Sequence, residues 1–518
     1  MTTITISTGS LKGCFDNGIH AFKGIPYAEP VSGPARWLPP VPRKPWQGVR
    51  DAQHYGEICL QFGSKALREP VPTARRRYFD AIGSFASCTE GDDSLLLNVW
   101  SPTLDANARL PVMLYIHGGG LNSGAANTLY DGTSFARKGV VCVAIQYRLG
   151  PLGFLHGAGL FGNDLCADNR GFLDQLCALQ WVQQNIAQFG GDPACVTVFG
   201  ESAGAFSVYQ LSASPLARGL FKRGIAMGGM PYTCAPANEH HALAVDALGD
   251  VGVKPGDEQA LIALDHAALK RLQKAISKRA FGKDAAARYG LLGRERVAYM
   301  GAATGTAFLP QAPMPGYGQG TPNDIDLMLG TCADDGRLFS LTLPFARSLS
   351  VKLWLKLLQG LMPNADVAAL QTRYRQQMRG ASTGRINEQI NNDVFFRMPT
   401  IAAAEAHAAG HAGRTYLYQV DYQSAIKSLG AIHGIEVALL FTHNSSARTL
   451  IADDTATAAL SEMMLQAWTS FAKTGRPVAA GMDPWPAFET SIRATMVFDR
   501  KPRLEPDWGG ALRQCWSQ

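Results

Sequence analysis

The stretch Val196-Thr197-Val198-Phe199-Gly200-Glu201-Ser202-Ala203-Gly204-Ala205 constrains the fold of this chain more than any other. A short run of β-branched and aromatic residues reads as a buried strand. It stops at Gly200, and the residues after Ser202 can continue as a helix. A serine on such a strand-to-helix turn fits the G-x-S-x-G pattern, in which a strained backbone lifts the hydroxyl clear of the sheet. Side chains two positions before or after the serine would collide with neighbouring elements, so both places are glycine. The turn also aims the amide of Ala203 toward the place where an oxyanion would form. A helix N-cap by Ser202 would fit the same five residues, so the surroundings must decide between the two.

Leu110-Pro111-Val112-Met113-Leu114-Tyr115-Ile116 reads as a second buried strand, and it runs directly into His117-Gly118-Gly119-Gly120. Successive glycines let the backbone approach a ligand with its N–H groups turned outward. Such a loop beside the serine turn supplies oxyanion donors; a flexible linker would rarely abut a buried strand. Val140–Ile145 is the next strand. Leu179, Val182 and Ile186 have helical spacing, Gly190-Gly191-Asp192-Pro193 breaks that helix, and the serine strand follows. Strand, helix, strand in this order argues for a parallel sheet.

Elsewhere the pattern is coarser. The first hundred residues are loop-rich, with Phe22–Ala28 and Arg36–Pro40 too proline-laden for regular structure. Leu95–Trp100, Leu327–Thr331 and Tyr416–Val420 read as strands. Residues 240–300 and 345–400 read as helical, and Met463–Lys473 as a helix ended by Gly475. His240, His241, His407 and His411 read as surface helix residues, and His117 as part of the glycine loop.

Composition narrows the partners. With 518 residues, 46% hydrophobic and 17% charged, the chain has material for a large core around one sheet, and residues 1–518 are read as one domain. The net charge of +6 is dispersed apart from Arg75-Arg76-Arg77, so no nucleic-acid partner is expected. No run is long and apolar enough to span a bilayer. The N-terminus alternates like a strand and lacks the basic and apolar regions of a secretion signal. Ten cysteines show no close metal-ligand pairs. A cytoplasmic, reduced protein without metal or cofactor is expected, and its oligomeric state stays open.

A nucleophilic serine needs a base, and the base needs an acid to hold its tautomer. After Ser202 come Asp334-Asp335-Gly336 at one strand end and His433 after a later strand. The chain resembles the type-B carboxylesterases, a family that includes cholinesterases and bacterial p-nitrobenzyl esterases. The resemblance runs through Gly24-Ile25-Pro26-Tyr27-Ala28, Asp168-Asn169, Phe189–Pro193, Gly200–Gly204, Gly430–Gly434 and Trp468–Gly475. It implies an α/β-hydrolase fold: a mostly parallel central sheet flanked by helices, with helical and loop insertions over the site. It also implies Ser202 as nucleophile, His433 as base, Asp335 as acid in place of the family's usual Glu, and Gly119, Gly120 and Ala203 as oxyanion amides. Glu201 and Glu436 match two further carboxylates that the family places near the triad, and two carboxylates so close could share a proton.

Three departures stand out. Ser94 occupies the place of the cysteine that would pair with Cys59. The segment around Gly228 lacks a serine that the family usually carries. Residues 60–90 align with nothing in the family. The resemblance implies hydrolysis of small carboxylic esters through an acyl-serine; carbamate or amide hydrolysis would use the same machinery. A non-catalytic, adhesion-type relative would lack a working triad and carry a membrane segment.

Overall fold

The computed structural model describes residues 2–63, 73–82, 88–161, 165–295, 298–319, 324–338, 359, 365–410, 413–443 and 446–516. The apolar runs assemble into one thirteen-stranded sheet. Seven strands lie side by side in parallel: Val141–Ile145, Leu110–Ile116, Gly191–Glu201, Arg223–Met227, Asp326–Cys332, Thr415–Val420 and Ala494–Phe498. Antiparallel Leu96–Ser101 flanks the first of these and leads outward to Ile19–Pro26, Gly9–Asp16 and Thr2–Ile6. Antiparallel Arg503–Pro506 closes the opposite edge. Parallel alignment sends Ile116, Glu201, Met227, Cys332 and Val420 to one edge, and in open α/β sheets that carboxyl edge is where ligands bind.

The parallel strands are largely apolar in their central residues because both faces are covered. Leu114, Val143, Val198, Ala226 and Leu329 share one cluster with Leu179 and Val182 of helix Arg170–Asn185 and Val208 and Leu211 of helix Ala203–Ala213. Met113, Cys142, Phe199, Ile225 and Met328 face the other way, against Met464, Trp468 and Phe471 of helix Thr455–Thr474. The latter helix starts at Asp454, whose side chain accepts from Thr457 N at 2.8 Å, and ends at left-handed Gly475.

One buried ion pair ties the irregular N-terminal covering to this frame. Arg148 Nη2 and Nε donate to Asp174 at 2.6 and 2.8 Å, and Nη1 donates to the carbonyls of Ala35, Arg36 and Leu38. Removing one partner of such a pair costs about 3–5 kcal/mol, because the other charge is left buried.

Four details differ from the sequence reading. Ile19–Pro26 is a strand rather than irregular chain: its register shifts between Phe22 and Ile25, and Pro26 stands last, where a missing N–H breaks no interior ladder bond. The serine strand begins at Gly191, before Pro193, and the register irregularity between Leu110 and Val112 absorbs the proline. His240 and His407 are buried. His407 Nδ1 meets Thr415 Oγ1 at 2.7 Å and His240 Nε2 meets the Ala302 carbonyl at 3.3 Å, so each finds a polar partner inside. Helices Val367–Gln377 and Thr383–Asn392 occupy part of the helical 345–400 segment; residues 345–358 and 360–364, with His411, lie outside the described residues. No described helix is long and apolar enough to cross a membrane.

All ten cysteines are free. Cys59 Sγ donates to the carbonyl of Ser94 at 3.8 Å, so a thiol contact stands where the bridge would be. Alkylation of the denatured, unreduced protein should therefore modify all ten; a Cys59–Cys88 disulfide in the mass map would refute this pairing.

Candidate active site

Ser202 sits between strand Gly191–Glu201 and helix Ala203–Ala213 with φ 57° and ψ −118°. A non-glycine residue there stores about 1–3 kcal/mol of strain. Its amide donates to the Met227 carbonyl at 2.9 Å, which holds the turn in place. The two glycines are required by contact. A Cβ on Gly204 would lie 1.9 Å from the carbonyl oxygen of Ile116, and one on Gly200 would lie 2.5 Å from the carbonyl carbon of Gly204.

The glycine loop lies alongside. A Cβ on Gly118 would be 3.1 Å from Ser202 Cβ. His117 Nδ1 is 2.8 Å from the Gly118 oxygen, and a carbonyl only accepts, so Nδ1 carries the proton. Burial lowers the His117 pKa to about 4, keeping the ring neutral. The Gly119 oxygen accepts from Ser123 N at 3.1 Å and Ser123 Oγ at 3.0 Å. In a trans peptide the C=O and the following N–H point in opposite directions. Anchoring the Gly118 and Gly119 oxygens therefore turns the amides of Gly119 and Gly120 the other way. Among the described residues, neither these two amides nor that of Ala203 has an acceptor.

His433 and Asp335 meet as the sequence reading expects. His433 Nδ1 donates to Asp335 Oδ1 at 2.7 Å, and Asp335 is fully buried. Asp335 Oδ2 accepts from Cys332 N at 2.6 Å. Asp334 faces elsewhere: it pairs with Arg337 and Arg385, and its Oδ2 accepts from Ala431 N at 2.9 Å. Gly228 packs its backbone on this pair, an added Cβ being 3.1 Å from His433 Cε1 and 3.4 Å from Asp335 Oδ1. The position without its serine thus lies against the imidazole, and the second bond to Asp335 comes from the Cys332 amide.

Glu201 and Glu436 are both buried, but they do not bond each other. Glu201 Oε1 is 3.1 Å from His433 Nε2, out of line for a hydrogen bond, and Nε2 has no other partner among the described residues. Glu436 Oε2 instead accepts from Cys332 Sγ at 2.8 Å. Burial, with repulsion from Asp335, raises the Glu201 pKa to about 7, although His433 opposes the rise. Burial alone would lower the His433 pKa; Glu201 and Asp335 outweigh it and raise the value to about 9. The two groups titrate together.

Three contributors gave no sequence signal. Tyr78, on helix Thr73–Ile82, donates its hydroxyl to the His433 carbonyl at 2.9 Å. Phe396, on the π-helical turn Asp393–Arg397, packs its ring 5.1 Å from the His433 ring. Cys332 acts through a backbone amide, which residue type does not reveal. Among the described residues, no group of three or more His, Cys, Asp or Glu is arranged to hold a metal ion.

Residues 1–509 match the model of the carboxylesterase family. This chain belongs to that family. It is 32% identical to the para-nitrobenzyl esterase of Bacillus subtilis, over 99% of this chain and 97% of that one. It is 30% identical to the phenmedipham hydrolase of Pseudarthrobacter oxydans, over 95% and 94%. A solved carboxylesterase of Geobacillus stearothermophilus superimposes with a TM-score of 0.82 at 30% identity, covering both chains fully. The carboxylesterase-family chain is accordingly a carboxylic ester hydrolase on the α/β-hydrolase fold.

The two aspartates can be separated by mutation. Asp335→Asn should lower kcat by about 10³–10⁴-fold, as loss of the acid does in other serine triads. Asp334→Asn keeps an acceptor for Ala431 N and should stay within about tenfold of wild type. Kinetics with circular dichroism decide, and the reverse ranking would reassign the acid.

Glu201 should show itself in the pH profile. With His433 as the base that the resemblance implies, activity needs the neutral imidazole, and the Glu201 charge favours the imidazolium. Glu201→Gln should move the acid limb of kcat/KM to lower pH by about 1–3 units. An unmoved limb would remove Glu201 from the titration.

Proposed function

We propose that the chain hydrolyses small carboxylic esters through an acyl-serine on Ser202. The observation that carries this reading is the His433–Asp335 bond at 2.7 Å, with Nε2 left unbonded 3.1 Å from Oε1 of Glu201, the residue before Ser202. Ser202 Oγ attacks the ester carbonyl while His433 Nε2 takes its proton. The oxyanion is stabilised by the amides of Gly119, Gly120 and Ala203. Losing one such donor typically costs about 3–4 kcal/mol of transition-state stabilisation. Collapse breaks the bond to the alkoxy oxygen, and the imidazolium returns the proton to it, releasing the alcohol. Water then repeats the sequence on the acyl-serine, releasing the acid.

The electrostatics support this cycle. Asp335 fixes the Nδ1–H tautomer and, without taking the proton, stabilises the imidazolium. Glu201 adds a second negative neighbour on the Nε2 side. Both act most strongly while His433 is charged, which is where stabilisation speeds the chemistry. No step calls for a metal or organic cofactor.

A second reading rests on the relative named phenmedipham hydrolase. The same nucleophile and oxyanion amides would serve carbamates and amides, which makes their hydrolysis the alternative to ester cleavage. A panel of p-nitrophenyl esters, phenmedipham and anilides would rank the three.

An organophosphate should inactivate the enzyme with one adduct, on the peptide carrying Ser202, and Ser202→Ala should be neither labelled nor active. A label on another serine, or turnover by Ser202→Ala, would overturn the mechanism.

A further inference from the structure

Loop 58–62 approaches the glycine loop through a side chain that imitates backbone. Gln61 Oε1 accepts from Gly124 N at 2.9 Å, and Gln61 Nε2 donates to Gly124 O at 3.0 Å. The primary amide thus makes with one residue both bonds that a β-ladder partner would make. Nε2 also donates to Cys59 O at 2.8 Å, so the side chain is held from its own loop. Phe62 N donates to Asn122 O at 2.7 Å and reinforces the joint.

Gly124 lies directly on the parts that orient the oxyanion amides. Its φ is 114°, and an added Cβ would be 2.3 Å from both the Gly118 oxygen and His117 Nδ1. That is the hydrogen bond which turns the Gly119 N–H outward. The neighbouring Ser123 amide and hydroxyl hold the Gly119 oxygen, which turns the Gly120 N–H. Displacing Gly124 therefore displaces both donors.

We propose that Gln61 is a positioning residue for the oxyanion donors, clamping Gly124 against the His117–Gly118 pair. It does so where Cys59 has only a thiol contact to Ser94 in place of a covalent tie. The inference rests on the reading of Gly119 and Gly120 as oxyanion donors. Gln61 touches neither substrate nor Ser202; it acts through the loop.

The test compares wild type with Gln61→Ala and the isosteric Gln61→Glu, which keeps an acceptor for Gly124 N and loses the donor to Gly124 O. The readouts are kcat and KM on p-nitrophenyl acetate, and the inhibition constant of an aryl trifluoromethyl ketone. In that adduct Ser202 Oγ bonds the carbonyl carbon, the C=O electron pair moves to oxygen, and the serine proton goes to His433. The variants should lose about 10–100-fold in kcat, as a misplaced site does. KM should change less than about threefold. Ketone affinity should fall in proportion to kcat/KM, while the acid limb of the pH profile, set by His433, stays in place. Variants with wild-type kcat and ketone affinity would refute the role of Gln61. So would a loss of kcat with ketone affinity unchanged, or a moved acid limb, since either would place the defect outside the oxyanion donors. If Gln61→Ala does not fold, Gln61→Glu decides alone. Failure of the oxyanion reading looks different: wild type itself would then form no tight ketone adduct on Ser202.

Discussion

The close crossing of two backbones at Gly204 and Ile116 governs the geometry of the site. There is no room for a Cβ between them: one on Gly204 would stand 1.9 Å from the Ile116 oxygen. The helix after Ser202 can therefore rest directly on the strand that leads into His117–Gly120. The Ser202 turn and the glycine loop are set against each other by backbone contact rather than by adjustable side chains. The same packing, with the Ser202 amide bonded to Met227, sustains a φ of 57° that a serine would not adopt in an unconstrained loop.

On the other side of the serine, charge does the corresponding work. The parallel strands Asp326–Cys332 and Thr415–Val420 deliver Asp335 and the His433 loop to the same edge, and their continuation is tied by the bridge between Asp334 and Ile432. Asp335, Glu201 and Glu436 gather around one imidazole where water is largely excluded. A low-dielectric pocket strengthens every interaction inside it, so burial raises the pKa values of Glu201 and Glu436 while the surrounding carboxylates raise that of His433. The arrangement favours the charged form of His433.

The covering loops are held by many modest contacts. A disulfide across Cys59 would contribute about 2–4 kcal/mol. Its place is taken by the Cys59 thiol on Ser94, the paired bonds of Gln61 to Gly124, and Tyr78 on His433. Single neutral hydrogen bonds contribute about 1 kcal/mol each. Together they can order a loop, and two of them, Gln61 on Gly124 and Tyr78 on His433, also bear on the glycine loop and the imidazole.

Local sequence was sufficient wherever chemistry depends on a short contiguous pattern. Gly200–Gly204 announces its own turn, because a sharp strand-to-helix bend with close backbone approach admits few residues. His117–Gly120 does the same, and the continuous apolar strands reveal a sheet covered on both faces. Asp335 could be separated from Asp334 only by resemblance, since two adjacent aspartates carry the same chemistry; the fold distinguishes them by turning one to His433 and the other to Arg337 and Arg385. The partition of Glu201 toward His433 and Glu436 toward Cys332 was not legible, because it depends on strand ends brought together from separate parts of the chain. Buried His240 and His407 looked like surface residues for the same reason: helical spacing shows which residues share a face, but not what packs there. Tyr78, Phe396 and Gln61 belong to irregular or distant segments, and only tertiary packing places them against His433 and Gly124.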